Sequence, residues 1–317
     1  MPKVLVADKL SAQGLGKLRE ANFDVDEKLG LKEPDLVAIV ADYDAILVRS
    51  ATKITATVID AATKLRVVGR AGIGVDNVDV AAATRKNVIV MNTPTGNSIT
   101  TAEHALALLF SLARKIPQAT ASMRAGKWEK SKFEGRELTG KTLGVVGLGN
   151  IGRIVADRAR GLRMEVIVHD PFVTPERAAA LGLHLVPLSE LFTRSDAITV
   201  HTPLTKETTG LLNDATIATM KQGVLLVNCA RGGIYDEDAL ARGLESGKIG
   251  GVALDVFVEE PPKNPPHPLL RFDNVIATPH LGASTHEAQE RVAVEIAEQV
   301  IAYLRDGVIQ NAVNAPR

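Results

Sequence analysis

One cysteine in 317 residues, Cys229, has no partner for an intramolecular disulfide, so the fold must rest on packing. Aromatic residues make up 3% of the chain, with Trp128 the single tryptophan. No apolar run reaches the roughly 18 residues that a helical membrane span needs, and the N-terminus shows no signal-peptide pattern. Charge of one sign is also missing. The 37 basic and 37 acidic residues cancel, so no global field draws the chain to nucleic acid or to a membrane surface. Neither C-x-x-C nor H-E-x-x-H occurs, which removes the usual zinc patterns. These absences lead us to expect a globular, metal-free, cytoplasmic protein with no nucleic-acid or membrane partner.

Length and apolar content are ample. A chain of 317 residues at 45% hydrophobic content supports two cores. Short β-branched runs alternate with helical patterns, predicting strands at 4–7, 24–26, 45–48, 65–68 and 88–91. A second series follows at 142–146, 166–168, 197–200, 224–227, 251–254 and 275–277. Strands that alternate with helices imply parallel sheets joined by right-handed crossovers, and eleven strands exceed one ordinary sheet. The fold class is therefore α/β, with two doubly wound parallel-sheet domains. Turn-rich residues 92–97 precede a helical segment at 101–114 and mark the boundary. Near the end, Ser284 is positioned to cap a helix over 285–306, with Gly307 as its stop. Val292, Ile296, Val300 and Leu304 recur on one face of it, and the tail at 308–313 is expected to return to the N-terminal domain. Residues 118–140 show little sheet character and contain Lys127, Trp128, Lys130, Lys132 and Phe133. A solvated loop is the plain reading. An arm that reaches a partner subunit is preferred, because a lone tryptophan is costly to leave in water.

The motif with the clearest chemistry is Gly147-Leu148-Gly149-Asn150-Ile151-Gly152. It follows an apolar strand, opens a helix, and precedes a second strand that ends in Asp170. This is the dinucleotide fingerprint. Glycines permit a tight turn and close approach to a pyrophosphate, the helix N-terminus offers unpaired N–H groups, and the acid accepts from a ribose. Asp170 would repel a 2′-phosphate and no arginine follows closely in sequence, so the cofactor is expected to be NAD rather than NADP.

In open α/β sheets, ligands bind beyond the carboxyl ends of the strands. Those ends carry Arg49-Ser50, Arg70 with Gly72-Ile73-Gly74, His201-Thr202-Pro203, Asn228-Cys229-Ala230-Arg231, Asp255 with Glu260, and His280 with Gly282. Arg231 suits a bidentate carboxylate clamp, and the two glycines after it suit a backbone pressed against a ligand. His280 suits a base for an alcohol proton, with Glu260 fixing its tautomer and raising its pKa. Arg49 and Arg70 remain for a second anionic group, so the substrate is expected to be doubly anionic. Gly72-Ile73-Gly74 reads as an N–H nest for that anion, since Asn77 replaces the third glycine of a nucleotide turn. Cys229 reads as a small buried residue rather than a nucleophile. His201 serves equally well as a cofactor contact or as a strand cap. His104, on an apolar helix, reads as a packed histidine.

With Arg231, Glu260, His280 and the fingerprint at 147–152, the chain resembles the D-isomer-specific 2-hydroxyacid dehydrogenases. The motifs Val48-Arg49-Ser50, Arg70–Asn77, Asn228–Gly233, Leu254–Phe257 with Glu259–Pro261, and Pro279–Ser284 carry the likeness over essentially the whole chain. The resemblance implies a Rossmann NAD-binding domain at 98–284 inserted into a discontinuous, flavodoxin-like substrate domain at 1–97 and 285–317. It implies Arg231, Glu260 and His280 as the catalytic set. The implied NAD contacts are Gly147, Gly149, Asn150, Ile151, Gly152, Asp170, His201, Thr202, Pro203, Cys229, Ala230, Arg231, Asp255, His280, Gly282 and Ala283. The implied substrate contacts are Arg49, Ser50, Arg70, Ile73, Gly74, Arg231 and His280. Lys130 is implied to reach the phosphate pocket of a second copy, in a homodimer joined through residues 98–140. Lys130 stands where some members have arginine, and Ile73 where some have a hydroxyl residue. Many members have C-terminal regulatory domains, and regulation through such domains is not expected of a chain ending at Arg317. The rival readings are a reductase of unphosphorylated glyoxylate or hydroxypyruvate from the same family, and a non-enzymatic NAD(H)-sensing protein of the corepressor kind.

Overall fold

The computed structural model describes residues 1–263 and 265–314; Ala315–Arg317 of the tail lie outside the described residues. The chain divides into two compact units, Met1–Ser98 with Ala283–Arg317, and Ile99–Gly282.

The first unit holds a five-stranded sheet: β1 Lys3–Val6, β2 Asp24–Glu27, β3 Ala45–Val48, β4 Val67–Arg70 and β5 Ile89–Asn92. All its pairings are parallel, and the order is β2-β1-β3-β4-β5, the flavodoxin-like doubly wound arrangement. Its inner strands β1 and β3 are apolar on both faces because each face has its own core. Val4, Val6, Ala45 and Leu47 pack into one cluster, while Leu5, Ala7, Ile46 and Val48 pack into the other. That two-residue alternation is what a pleated strand buried on both sides must show. The helix His286–Asp306 lies on the first of these faces and buries Val292, Ile296, Val300 and Leu304 there. Gly307 ends it at φ 70°. The N-cap differs from expectation. Thr285, not Ser284, accepts from the Ala288 N–H, at 3.2 Å, because the first helical turn begins one residue later. The tail returns to this unit as expected: Ala312 bridges Met91 antiparallel, and the Val313 N–H donates to the Val90 carbonyl at 2.9 Å.

The second unit holds seven parallel strands: β6 Thr142–Val146, β7 Glu165–His169, β8 His184–Leu185, β9 Ala197–Val200, β10 Val224–Asn228, β11 Ile249–Leu254 and β12 Val275–Ala277. The order β12-β11-β10-β9-β6-β7-β8 places β6 and β9 side by side at the switch point, as in a Rossmann sheet. Alternation again separates two cores, with Leu225 and Val227 on one face and Val224 and Leu226 on the other. All eleven predicted strands are present. The twelfth, β8, escaped because two residues are too short for any alternation to register. Residues 118–140 contain more than loop, with helix Ile116–Arg124 and a 3-10 turn at Lys130–Phe133.

Candidate active site

The glycine turn of the site follows β6. Gly147 follows at φ 91°, and the helix Asn150–Gly161 starts with Gly149 as its N-cap. A Cβ on Gly152 would lie 1.9 Å from the Gly147 carbonyl oxygen, so the turn closes only with glycine there. A Cβ on Gly149, by contrast, would meet open space. The turn is thus tight within and open at the helix N-terminus, a shape that fits a pyrophosphate. Asn150 accepts from Arg153 Nη2 at 3.1 Å, and Ile151 packs against the core beneath.

Asp170 stands at the end of β7. Its Oδ2 accepts from Leu148 N–H at 2.7 Å and its Oδ1 from Phe172 N–H at 2.8 Å. Each oxygen keeps a lone pair for a ribose hydroxyl. A cavity of about 310 Å³ opens beside it, lined by Leu148, Gly149, Arg153, Asp170, Phe172 and Arg177 among others. No arginine follows Asp170 closely in sequence, as expected, yet two share its cavity. Arg177 arrives on the short helix Pro175–Ala180 and Arg153 on the fingerprint helix, neither adjacent in sequence to the acid.

After β9, His201 is half-buried, and burial lowers its pKa to about 4, so its ring is neutral. Its Nε2 contacts Thr199 Oγ1 at 3.0 Å, while its buried Nδ1 and the Thr202 Oγ1 have no hydrogen-bond partner among the described residues. The His201 carbonyl lies against Gly147, where a Cβ would meet it at 2.5 Å. Two orphaned polar atoms beside the glycine turn suit the cofactor-contact reading of His201 and Thr202. The exposed Pro203 gives its carbonyl to Thr208 Oγ1 at 2.7 Å.

After β10, Cys229 is buried, and burial first, with Asp255 second, raises its thiol well above the ordinary range. Ala230 N–H donates to Asn228 Oδ1 at 2.9 Å, and Asn228 Nδ2 donates to the Arg231 carbonyl at 2.9 Å. Arg231 Nη1 donates to the Ala230 carbonyl at 2.7 Å. The glycine after Arg231 has a different cause from the one expected. A Cβ on Gly232 would lie 1.9 Å from the Phe257 carbonyl oxygen, so that backbone is pressed against the loop beyond β11, not against an open ligand face.

That loop carries Glu260, and the loop beyond β12 carries His280. His280 Nδ1 meets Glu260 Oε2 at 2.6 Å, and Glu260 Oε1 accepts from Phe257 N–H at 2.9 Å. The hydrogen bond to Glu260 raises the His280 pKa, against the opposing pull of burial and of Arg231. Burial pushes the Glu260 carboxyl up, but the bonds from His280 and Phe257 outweigh it and hold the group below its ordinary value. With an ionised carboxylate as acceptor, Nδ1 carries the proton and Nε2 is left to act. His280 sits at φ 54°, a left-handed conformation that costs a non-glycine residue about 1–3 kcal/mol and persists only where its surroundings impose it. Asp255, only 1% exposed, supplies that restraint. Its backbone carbonyl accepts from His280 N–H at 2.9 Å, and its carboxylate accepts from Leu281 and Gly282 N–H groups, each at 2.7 Å.

His104 is the residue that sequence reasoning missed. Its Nε2 lies 3.2 Å from Asp255 Oδ1 and 3.0 Å from Thr278 Oγ1, so it belongs to the restraint around His280 and is more than packing. A signal existed: Thr101 and His104, three apart on the apolar helix Ser98–Ala113, are polar on one face, and Thr101 Oγ1 donates to the Gly282 carbonyl at 3.0 Å.

The first unit places its candidates on neighbouring strand ends, where Val48 and Arg70 are register partners. Arg49 N–H donates to Asp8 Oδ2 at 2.7 Å, and burial, partly offset by Asp8, lowers the guanidinium pKa. Ser50 is exposed. Arg70 folds against Gly72, and the Ile73 carbonyl accepts from Asn92 Nδ2 at 2.6 Å; Gly74 follows, half-buried. Asn77 staples the loop by donating to the Arg49 carbonyl at 2.8 Å and the Thr52 carbonyl at 2.6 Å. The Ala283 carbonyl accepts from Gln289 Nε2 at 3.0 Å. Lys130, in the second unit, is exposed on its 3-10 turn.

The chain is similar to known proteins over nearly all of its length. Residues 106–282 match the model of the D-isomer specific 2-hydroxyacid dehydrogenase, NAD binding domain. The chain belongs to the D-isomer-specific 2-hydroxyacid dehydrogenases. Within that family it is 53% identical over 313 residues to a D-3-phosphoglycerate dehydrogenase of Rattus norvegicus, covering 99% of this chain and 58% of the rat protein. The chain thus spans under two thirds of that relative's length. Among solved structures, the TT0316 protein of Thermus thermophilus superposes with a TM-score of 0.90 at 36% identity, covering 98% of this chain and 99% of that one. The NAD⁺-bound 3-phosphoglycerate dehydrogenase of Entamoeba histolytica superposes with a TM-score of 0.83 at 29% identity, covering 99% of each chain. The family's NAD-binding domain therefore coincides with the unit that holds the glycine turn, Asp170 and the His280–Glu260 pair.

Proposed function

We propose that the chain catalyses the NAD-dependent oxidation of D-3-phosphoglycerate to 3-phosphohydroxypyruvate, the reaction that opens the phosphorylated route to L-serine. The observation that carries this reading is the 2.6 Å contact of His280 with Glu260 at strand ends of the NAD-binding unit. Bound NAD supplies the hydride acceptor. His280 takes the hydroxyl proton on Nε2 as the C–H hydride leaves, and Glu260 stabilises the imidazolium that results. Arg231 clamps the substrate carboxylate and orients the reacting carbon. Arg49 and Arg70, with Ser50 and the backbone at Ile73-Gly74, take the phosphate. Two cations on adjacent strand ends, and the activity of the rat and amoebic relatives, support the phosphorylated substrate.

The protein acts as a homodimer in this reading. Trp128 is 80% exposed on the single chain, and Ile116 and Met123 are exposed in the same segment, so a second copy is the cover that segment calls for. Lys130 would then serve the neighbouring copy's phosphate pocket. Among the described residues no helix is long and apolar enough to cross a membrane, and the reading places the enzyme in the cytoplasm. A spectrophotometric panel of 2-hydroxy acids with NAD tests the substrate. We expect NADH production to be fastest, per unit KM, with D-3-phosphoglycerate. A higher kcat/KM with glycerate or glycolate would refute the phosphate assignment.

A further inference from the structure

We propose that His104 is a positioning residue for the acid–base histidine, acting through Asp255 and Thr278 to hold the 278–282 loop in its reactive conformation. The proposal rests on the reading of His280 as that acid–base group.

The geometry orders the protons. Thr278 Oγ1 donates to Asp255 Oδ1 at 2.5 Å, which leaves the hydroxyl oxygen as an acceptor. His104 Nε2 faces that oxygen at 3.0 Å and Asp255 Oδ1 at 3.2 Å, so Nε2 carries the proton and donates to both. Asp255 Oδ1 then receives His104, Thr278 and Leu281 N–H, and Oδ2 receives Gly282 N–H. Four donors fix the carboxylate in position. Through it they fix the two peptide groups that follow His280, whose own N–H is held by the carbonyls of Asp255 and Thr278 at 2.9 and 3.0 Å. His280 needs this hold, since its backbone is left-handed at φ 54°. Removing His104 strips a donor from a carboxylate that is almost fully buried, and such a group reorganises rather than stay short of a partner. Cys229 is the other ionisable neighbour, its sulfur within 4.8 Å of the His104 and Asp255 ligand atoms. Its thiol is held protonated by burial, and both Asp255 oxygens are already engaged, so the cluster works as a hydrogen-bond relay.

The groups facing His280 are Glu260, Asp255 and Arg231. If the loop loosens, the bond to Glu260 weakens first, and the imidazole returns toward its ordinary pKa. We expect His104→Leu to lower kcat about tenfold, with any rise in KM for NAD smaller than that fall. The acid limb of the kcat–pH profile should move to lower pH. His104→Gln, which keeps a donor in that place, should restore most of kcat. The histidine resonance that disappears in His280→Ala should titrate at lower pH in His104→Leu than in the wild type, a readout that does not need turnover. Thr278→Val, which keeps volume and removes the hydroxyl, should move the titration and the limb in the same direction if the leucine variant fails to fold. Unchanged kcat and titration with only a lower Tm would overturn the proposal. So would a raised KM for NAD at constant kcat, which would make His104 a cofactor contact. A wild type that oxidises no 2-hydroxy acid would instead defeat the functional reading, and the titration would still decide the role of His104.

Discussion

The two units solve the same problem differently. Both are parallel sheets whose functional candidates follow the carboxyl ends of their strands. In the first unit the loop backbone around Arg49 is what the structure ties down, by Asp8 below and Asn77 across. In the second unit the side chain itself is tied, with the His280 ring bonded to Glu260 and its backbone held by Asp255. The difference follows from the tasks proposed for them. An arginine brings a preformed planar fork on a long flexible stem, so its loop needs a position from which that fork can reach an anion. A proton-transfer base needs one tautomer and one ring plane within hydrogen-bond reach, so its side chain needs an orientation.

That contrast predicts an order of effects. The largest belongs to His280→Ala, which should lower kcat by about 10²–10⁴, far more than it weakens NAD binding; fluorescence titration with NADH and steady-state assays check both halves. Retained turnover would sink the acid–base assignment. Arg70→Ala should act on binding, raising KM for phosphoglycerate about 10- to 100-fold with little change in kcat, the scale of a lost charge-assisted hydrogen bond. An equal fall in kcat would mean the first unit also orients the reaction, and the contrast would break.

Glu260→Gln should cost about tenfold in kcat and move the pH profile. The sign follows from the raised His280 pKa: alcohol oxidation needs the neutral imidazole, so the wild-type rate should climb with pH through a midpoint above the ordinary histidine value. Without the carboxylate the pKa falls, and the acid limb should shift to lower pH. A limb that stayed in place would mean another group controls it. The smallest effect concerns Asp170→Ser. Because Arg153 and Arg177 already line that cavity, loss of the carboxylate should raise kcat/KM for NADP severalfold relative to NAD. Adding Arg177→Ala should reverse the gain, and a gain that survived it would clear Arg177 of any part.

Much of this is legible in the amino-acid sequence. Strand positions are, because short apolar, β-branched runs such as those of β1, β3, β6 and β10 stand between helical patterns and need no knowledge of partners. The glycine turn and its acid were legible because strand, turn and helix are consecutive. The strand-end residues followed, since parallel sheets send every loop of one kind to one end. Misreadings have a common source. Ser284 and Thr285 are both good caps, and choosing between them depends on where the helix packs. Gly232 looked ligand-facing because its neighbour Phe257 is distant in sequence.

The sequence by itself determined the local pieces: which runs pleat, where the chain turns, and which chemistries stand at strand ends. Only the tertiary structure decided that His104 meets Asp255, across 151 residues, and that Arg177 shares a cavity with Asp170. The reason is physical. Propensity and periodicity act over a few residues, whereas strand order and crossovers choose which distant loops become neighbours. The network that holds His280 is made of those choices.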